Sequence, residues 1–264
     1  MEALAGAGQV SVFDGQRSVV FANGSLAGSS VLFIAVVADP AAPFPRARRG
    51  EVGVEEGWAI AQLVRRTIAA DPQEARRPIV AVVDVPGQAY GRIEESLGIH
   101  LSCAAAVHAY ADARLAGHPV VAFLAGGAMS GAFLAHGYQA NRIVALNDRN
   151  VTVQAMGKQA AARITRRSVE EVEALGDSAL PMSYRVDAFD RLGLVHALVR
   201  NVNADSPDRG DIAMVKAALA AAIADVHDSG RRDLLCRLES RQARETRHAS
   251  IEVRRLLAEQ WRET

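Results

Sequence analysis

The sequence predicts an α/β protein with a largely parallel sheet and a helical C-terminal arm. Three observations carry that expectation. The runs Val31–Val37 and Ile79–Val83 are continuously apolar, as in strands covered on both faces. Helix-length segments separate the strand-like runs, which is the pattern of βαβ units. From about Arg167 strand-like runs give way to helical ones, ending in an Arg/Glu-rich stretch from Ser229 to Glu263.

Taken in order, Gln9–Phe13 and Arg17–Phe21 flank Asp14-Gly15-Gln16, a hairpin turn. Val31–Val37 is the third strand. Pro40, Pro43, Pro45 and Gly50 make Asp39–Gly53 a loop, and Arg46, Arg48 and Arg49 make it basic, suited either to an anionic partner or to plain solvation. Val54–Ala70 reads as a helix, and Ile79–Asp84 as a strand running into the turn Val85-Pro86-Gly87-Gln88. A long helix is expected over Glu94–Ala116, with Leu97, Leu101, Ala104, His108, Ala111 and Leu115 on its packed face and His108 as a core histidine. Pro119–Leu124 is the next strand. It leads into Gly126-Gly127-Ala128-Met129-Ser130-Gly131, where a helix begins that runs to about Gln139. Arg142–Leu146 and Val151–Ala155 close the strands. Asn201–Asp211, with Pro207 and Gly210, is the linker candidate, dividing residues 1–200 from an arm over 201–264. In that arm Leu234, Leu235, Leu238, Ile251, Leu256, Leu257 and Trp261 mark one or two amphipathic helices for subunit docking.

Composition excludes several function classes. Thirty Lys and Arg balance thirty Asp and Glu over 264 residues, so the concentrated positive charge of a nucleic-acid binder is absent. Cys103 and Cys236 belong to no CxxC or Cys/His cluster, which argues against a metal site and for a reducing cytoplasm. The N-terminus has no basic, then apolar, signal pattern, and the longest apolar run, Val31–Ala38, is too short to span a bilayer. There is no GxGxxG, and Gly157-Lys158 lacks the earlier glycine of a phosphate loop, so nucleotide chemistry is not expected.

The chemistry is expected at two corners, Pro86-Gly87-Gln88 and Gly126–Gly131. Each follows a buried strand at the end where open α/β sheets bind ligands. The second also opens a helix, whose first N–H groups lack intrahelical partners. Gly87, Gln88, Ser130 and Gly131 are therefore the candidate catalytic residues of a two-sided oxyanion hole, with Gly127, Ala128 and Met129 as substrate contacts. The same glycines also suit tight turns and helix–sheet packing. Glu94 and Glu95 sit where a helix dipole favours acids, which weighs against an acid/base role. His136 and Tyr138 either pack their helix or line the site, and Cys103 and Cys236 are expected to be buried thiols.

The ordered set Val83–Gln88, Glu94-Glu95 with Gly98-Ile99, Tyr110–Arg114, Pro119–Val121, Gly127–Phe133 and Val153–Gly157 resembles the C-terminal half of acyl-CoA carboxyltransferases, in the crotonase superfamily. Ser130–Arg142 and Met156–Glu171 are most similar to the gamma subunit of biotin-independent malonate decarboxylase. The likeness spans about Val31–Val199. It implies a crotonase/ClpP-like ββα superhelix and a subunit that works with a beta subunit, an acyl-carrier subunit and an acyl-carrier transferase (alpha) subunit. It also implies a malonyl group carried on a phosphopantetheine-type arm, no covalently bound cofactor and no biotin. Gly131 aligns with the helix-start glycine that supplies an oxyanion N–H across the superfamily, and Arg163 falls in the matching stretch as an anion contact. Ala128–Phe133 also resembles the serine corner of Clp-type peptidases, with the serine displaced by one position. A stand-alone hydratase, isomerase or hydrolase, and a catalytically silent scaffold, stay open beside the decarboxylase reading.

Overall fold

The computed structural model describes residues 1–6 and 10–262. Among them eight strands form one sheet: β1 (Val10–Phe13), β2 (Gln16–Leu26), β3 (Ser29–Val36), β4 (Ile79–Val85), β5 (Val120–Met129), β6 (Arg142–Leu146), β7 (Val153–Gln154) and β8 (Ala197–Val199). The order is β1-β2-β3-β4-β5-β6-β8, with β7 added to the end of β5. β1–β3 are antiparallel and the pairs from β3 to β8 are parallel. The expected α/β class with a parallel core is therefore present. Gln9, expected to start the first strand, and Glu263, at the end of the expected arm, lie outside the described residues. The turn from β2 to β3 uses Ala27 and Gly28, both with positive φ. Ala27 is an unusual residue there, and the sequence carries no Asn-Gly signal to announce it.

Helices α1 (Glu2–Ala5), α2 (Val54–Ala70), α3 (Arg92–Ser96), α4 (Ile99–Leu115), α5 (Ser130–Ala135), α6 (Lys158–Thr165), α7 (Val169–Ser178), α8 (Val186–Arg191), α9 (Arg209–Ser229), α10 (Cys236–Glu239), α11 (Arg241–Thr246) and α12 (His248–Arg262) complete the described chain. α2 has the expected bounds. The expected single helix over Glu94–Ala116 is broken at Gly98, whose φ of +80° admits glycine readily. Its packed face also differs from expectation. Leu97, Leu101 and Leu115 are each more than half exposed and His108 is on the surface, whereas Ser102, Ala106, Ala109, Tyr110 and Ala113 are buried. Small residues win because α4 lies almost against α2. A Cβ on Gly57 would sit 2.3 Å from Ser102 Oγ and 2.8 Å from its carbonyl oxygen, so bulky leucines have no room on that side.

α9 buries Val215, Leu219, Ala222, Ile223 and Val226 and packs on β5, β6 and β8. The expected boundary at residue 200 therefore falls inside the sheet domain, and the arm that leaves it starts after Gly230. Arginines fasten that arm. Arg237 Nη1 donates to the Tyr138 carbonyl at 2.8 Å, its Nη2 donates to Ala140, and its guanidinium lies 4.8 Å from the Tyr138 ring centroid. Arg232 Nη1 donates to the Leu115 carbonyl at 2.7 Å. Beyond these ties α12 buries no residue, and it exposes Val253, Leu256, Leu257 and Trp261 at helical spacing. Among the described residues no helix is long and apolar enough to cross a membrane.

Candidate active site

The two corners meet. β4 ends at Val85, and Gly87 and Gln88 leave the sheet held on both sides of one residue. The Val52 N–H donates to the Gly87 carbonyl at 3.0 Å, and the Ala89 N–H donates to the Val52 carbonyl at 2.7 Å. No described residue accepts from the N–H of Gly87 or Gln88. At the second corner Ser130 adopts φ +57°, a left-handed conformation uncommon outside glycine and frequent at functional sites. The next residue, Gly131, donates its N–H to Gln88 Oε1 at 2.9 Å. That bond joins residues 43 positions apart in the sequence.

The main-chain N–H groups leading into the second corner are engaged within the protein. β5 continues through Gly126, Gly127 and Ala128 to Met129, with a register irregularity opposite Val83–Val85. The Gly127 N–H donates to Asp84 Oδ1 at 2.9 Å, and the Ala128 N–H donates to the Thr152 carbonyl at 2.8 Å. Met129 packs with Ala161, Ala162, Val172 and Tyr184. The Ala128 donor is taken because β7 extends the sheet past Leu124, and the Gly127 donor by the Asp84 carboxylate. Gly126 is small because the Asp84 carboxylate lies over it: a Cβ there would be 2.1 Å from Asp84 Oδ1. α5 has six residues instead of the ten expected, so little macrodipole is available and the donors act one by one.

Within the basic loop Arg46 braces the first corner, while Arg48 and Arg49 stay exposed. Arg46 holds Glu51 with two hydrogen bonds, Nε to Oε2 at 2.8 Å and Nη2 to Oε1 at 2.5 Å, and its guanidinium stacks 4.5 Å from the Tyr90 ring centroid. Arg48 Nε donates to the Ala42 carbonyl. Glu51 and Val52 are neighbours, so the brace acts directly on the bridge that fixes Gly87 and Gln88. Nothing in the residue spacing announces this use of Arg46. Arg163 is exposed on α6, the helix whose Ala161 and Ala162 pack with Met129.

Beside the corners lies a cavity of about 320 Å³, lined by Ser130, Gly131, Phe133, Leu134, Tyr138 and Gln154 among others. Tyr138 thus reaches the site, whereas His136 does not. His136 is fully buried, with Nε2 3.0 Å from the Val82 carbonyl and Nδ1 3.0 Å from Tyr110 Oη. A carbonyl only accepts, so Nε2 carries the hydrogen and Nδ1 receives the tyrosine hydroxyl. Both nitrogens are engaged, so His136 cannot serve as a base for Ser130, and the peptidase alternative loses its nearest histidine. Burial pushes the His136 pKa down to about 4. Cys103 is half buried and its thiol is pushed up to about 11, chiefly by burial, which leaves it unreactive. Glu94 is buried and folded back on Gly91, whose Cβ would lie 2.4 Å from Oε2, whereas Glu95 is exposed.

The histidine has a measurable consequence. An unfolded chain protonates it below about pH 6.5, while the folded chain resists until about pH 4. The stability it supports is complete above the higher value and is lost as pH falls through that window, by about 3 kcal/mol. Urea unfolding at a series of pH values should show this fall, and His136→Gln should flatten it. Equal pH dependence in both proteins would refute the assignment.

The sheet order, the crossovers and the paired corners define a carboxyltransferase-type fold of the crotonase class. It recurs in transcarboxylase 12S at a TM-score of 0.64 and 20% identity, over 85% of this chain and 40% of that one. The malonate decarboxylase gamma subunit model matches residues 47–261, and the chain belongs to that family. It is 52% identical to a chain of a Pseudomonas malonate decarboxylase hetero-tetramer solved in complex with coenzyme A, over 98% of this chain and 97% of that one, at a TM-score of 0.91. Identity is 50% with a chain of the Pseudomonas MdcD-MdcE hetero-dimer, over 98% and 97%, at a TM-score of 0.88. The malonyl-S-ACP:biotin-protein carboxyltransferase MADD of Malonomonas rubra is 40% identical over 164 residues, 61% of this chain. The chain spans 56% of the length of that relative.

Proposed function

We propose that this chain completes, with a beta subunit, a site that decarboxylates malonyl carried as a thioester on an acyl-carrier protein, yielding acetyl-carrier and carbon dioxide. The observation that carries the reading is the Gly131–Gln88 contact, which brings two donor-bearing corners together at the ends of adjacent parallel strands in a chain of this family. The beta subunit is taken to hold the carrier arm, and this chain to face the carboxyl end. When the carbon–carbon bond breaks, its electron pair moves into the thioester carbonyl, the carboxylate's negative charge passes to that oxygen as neutral carbon dioxide leaves, and a proton taken up at the α-carbon then gives acetyl. Fixed N–H donors near the reacting oxygens stabilise such charge, each by about 3 kcal/mol. Exclusion of water between the subunits strengthens them. No metal, biotin or bound cofactor enters this scheme. The arm comes with the carrier, an alpha subunit loads it, and the reaction runs in the cytoplasm.

The purified chain should not turn over acyl-CoA or malonyl-carrier by itself, and activity should appear on adding the beta subunit. Turnover of acyl-CoA by the chain alone would favour the stand-alone enzyme. Ser130→Ala should keep substantial activity in the assembled complex, because the donors proposed here do not include the hydroxyl. Complete loss would give that hydroxyl a chemical role.

The arm is read as the docking element. A lone helix of about 15 residues is marginal in water, and α12 carries an apolar stripe over Val253, Leu256 and Leu257 that the sheet domain leaves exposed. Removing residues 248–264 should leave the melting temperature within about 2 °C. It should weaken binding to the beta subunit at least about 100-fold, consistent with several buried apolar side chains. Unchanged binding by calorimetry would remove the arm from the interface.

A further inference from the structure

We propose that the Gln88 carboxamide, and not the Gly131 N–H, is the donor this corner presents to a substrate oxygen, with Gly131 as its positioning residue. The inference rests on the decarboxylase reading above. A peptide N–H only donates, so the group 2.9 Å from it must be the amide oxygen of Gln88, and the orientation of the carboxamide is unambiguous. Nε2 then faces away from Gly131, and no described residue accepts from it. The amide lies across Gly131: a Cβ there would meet Oε1 at 3.3 Å, Cδ at 3.4 Å and Nε2 at 3.8 Å. An oxygen arriving at this corner meets the amide first.

The surroundings fix the amide at both ends. Its oxygen is held by Gly131, and its backbone by the Val52 bridge. Arg46, Glu51 and Tyr90 brace that bridge. A hydrogen bond accepted at the oxygen polarises the amide and strengthens the N–H donors on the nitrogen. A neutral donor also suits the reaction. A cation would hold the malonyl carboxylate more firmly than the neutral carbon dioxide it becomes, stabilising the ground state over the transition state. The neutral carboxamide orients an oxygen with a smaller penalty of that kind.

Two variants of the assembled complex test this. Gln88→Ala removes the donor and exposes the Gly131 N–H, and kcat/KM for malonyl-carrier should fall roughly 10- to 100-fold. Gln88→Glu can still accept from Gly131 and so keeps the corner, but its second oxygen carries a hydrogen only when the carboxyl is protonated. Its activity relative to wild type should therefore be low at about pH 7.5 and rise toward about pH 5. Equal or higher kcat/KM for Gln88→Ala would show that the amide merely plugs the Gly131 N–H and would overturn the proposal, as would a flat pH ratio for Gln88→Glu. A wild-type complex that releases no carbon dioxide would instead sink the decarboxylase reading.

Discussion

Complexes assembled with Gly131→Val should lose at least about 100-fold in the rate of carbon dioxide release while binding their partner normally. The new Cβ would lie 3.3 Å from Gln88 Oε1 and 3.4 Å from Cδ. This is tighter than ordinary contact, and the two further methyl groups of valine add bulk beside the carboxamide. The amide is expelled, and the corner loses the Gln88 donor and the geometry around its own N–H together. Losing one such donor costs about 10²–10³ in rate elsewhere. Gly131→Ala should fall between wild type and valine, because a single methyl needs only a few tenths of an ångström of movement. The comparison is made at matched complex concentration, with assembly checked by gel filtration. Normal turnover by a fully assembled Gly131→Val complex would remove this corner from catalysis.

Gly57→Val should destabilise the chain by about 3 kcal/mol or more, lowering the melting temperature by roughly 6–12 °C. α2 approaches α4 closely there, and two of the atoms a Cβ would meet, 2.8 Å away, are the carbonyl carbon and oxygen of Ser102. Backbone cannot rotate aside as a side chain can. The same helices carry Ser102 Oγ donating to the Val54 carbonyl at 2.5 Å, a bond that ties the start of α2 to α4. Thermal and urea unfolding of the isolated chain read this directly. A melting temperature unchanged within a degree or two would mean that the helices separate easily, contrary to the packing described.

Much of the fold is legible because the strands are so apolar. Ile79–Val83 reads as a buried strand, and the Pro-Gly and Gly-Gly punctuation after β4 and near the end of β5 marks their corners. The packed face of α4 is not legible. Leucines at helical spacing normally mark the core, and here the core side is alanine, serine and tyrosine because Gly57 lets the neighbouring helix come too close for anything larger. β8 is missed for a related reason: three residues, Ala197–Val199, are too few to show a period and gain their strand only by pairing with β6. The site divides the same way. That Gly87, Gln88, Ser130 and Gly131 fall at the ends of β4 and β5 is legible from local pattern. That Gly127 and Ala128 have their N–H groups taken by Asp84 and Thr152, and that Gln88 reaches Gly131, depends on contacts across about 25 to 43 positions, which no local pattern carries. Arg46 is instructive for charge: a basic residue on an exposed proline-rich loop resembles an anion clamp until Glu51 and Tyr90 are seen to hold it.

The central claim is that this chain supplies part of the chemistry and is not only a scaffold beside a competent partner. The most direct measurement is release of labelled carbon dioxide from carboxyl-labelled malonyl-carrier in a single turnover. The comparison is between the beta subunit alone, the beta subunit with this chain, and the beta subunit with the Gly131→Val chain. The account predicts rapid stoichiometric release only in the second. Equal rates in the second and third, with both complexes intact, would contradict it.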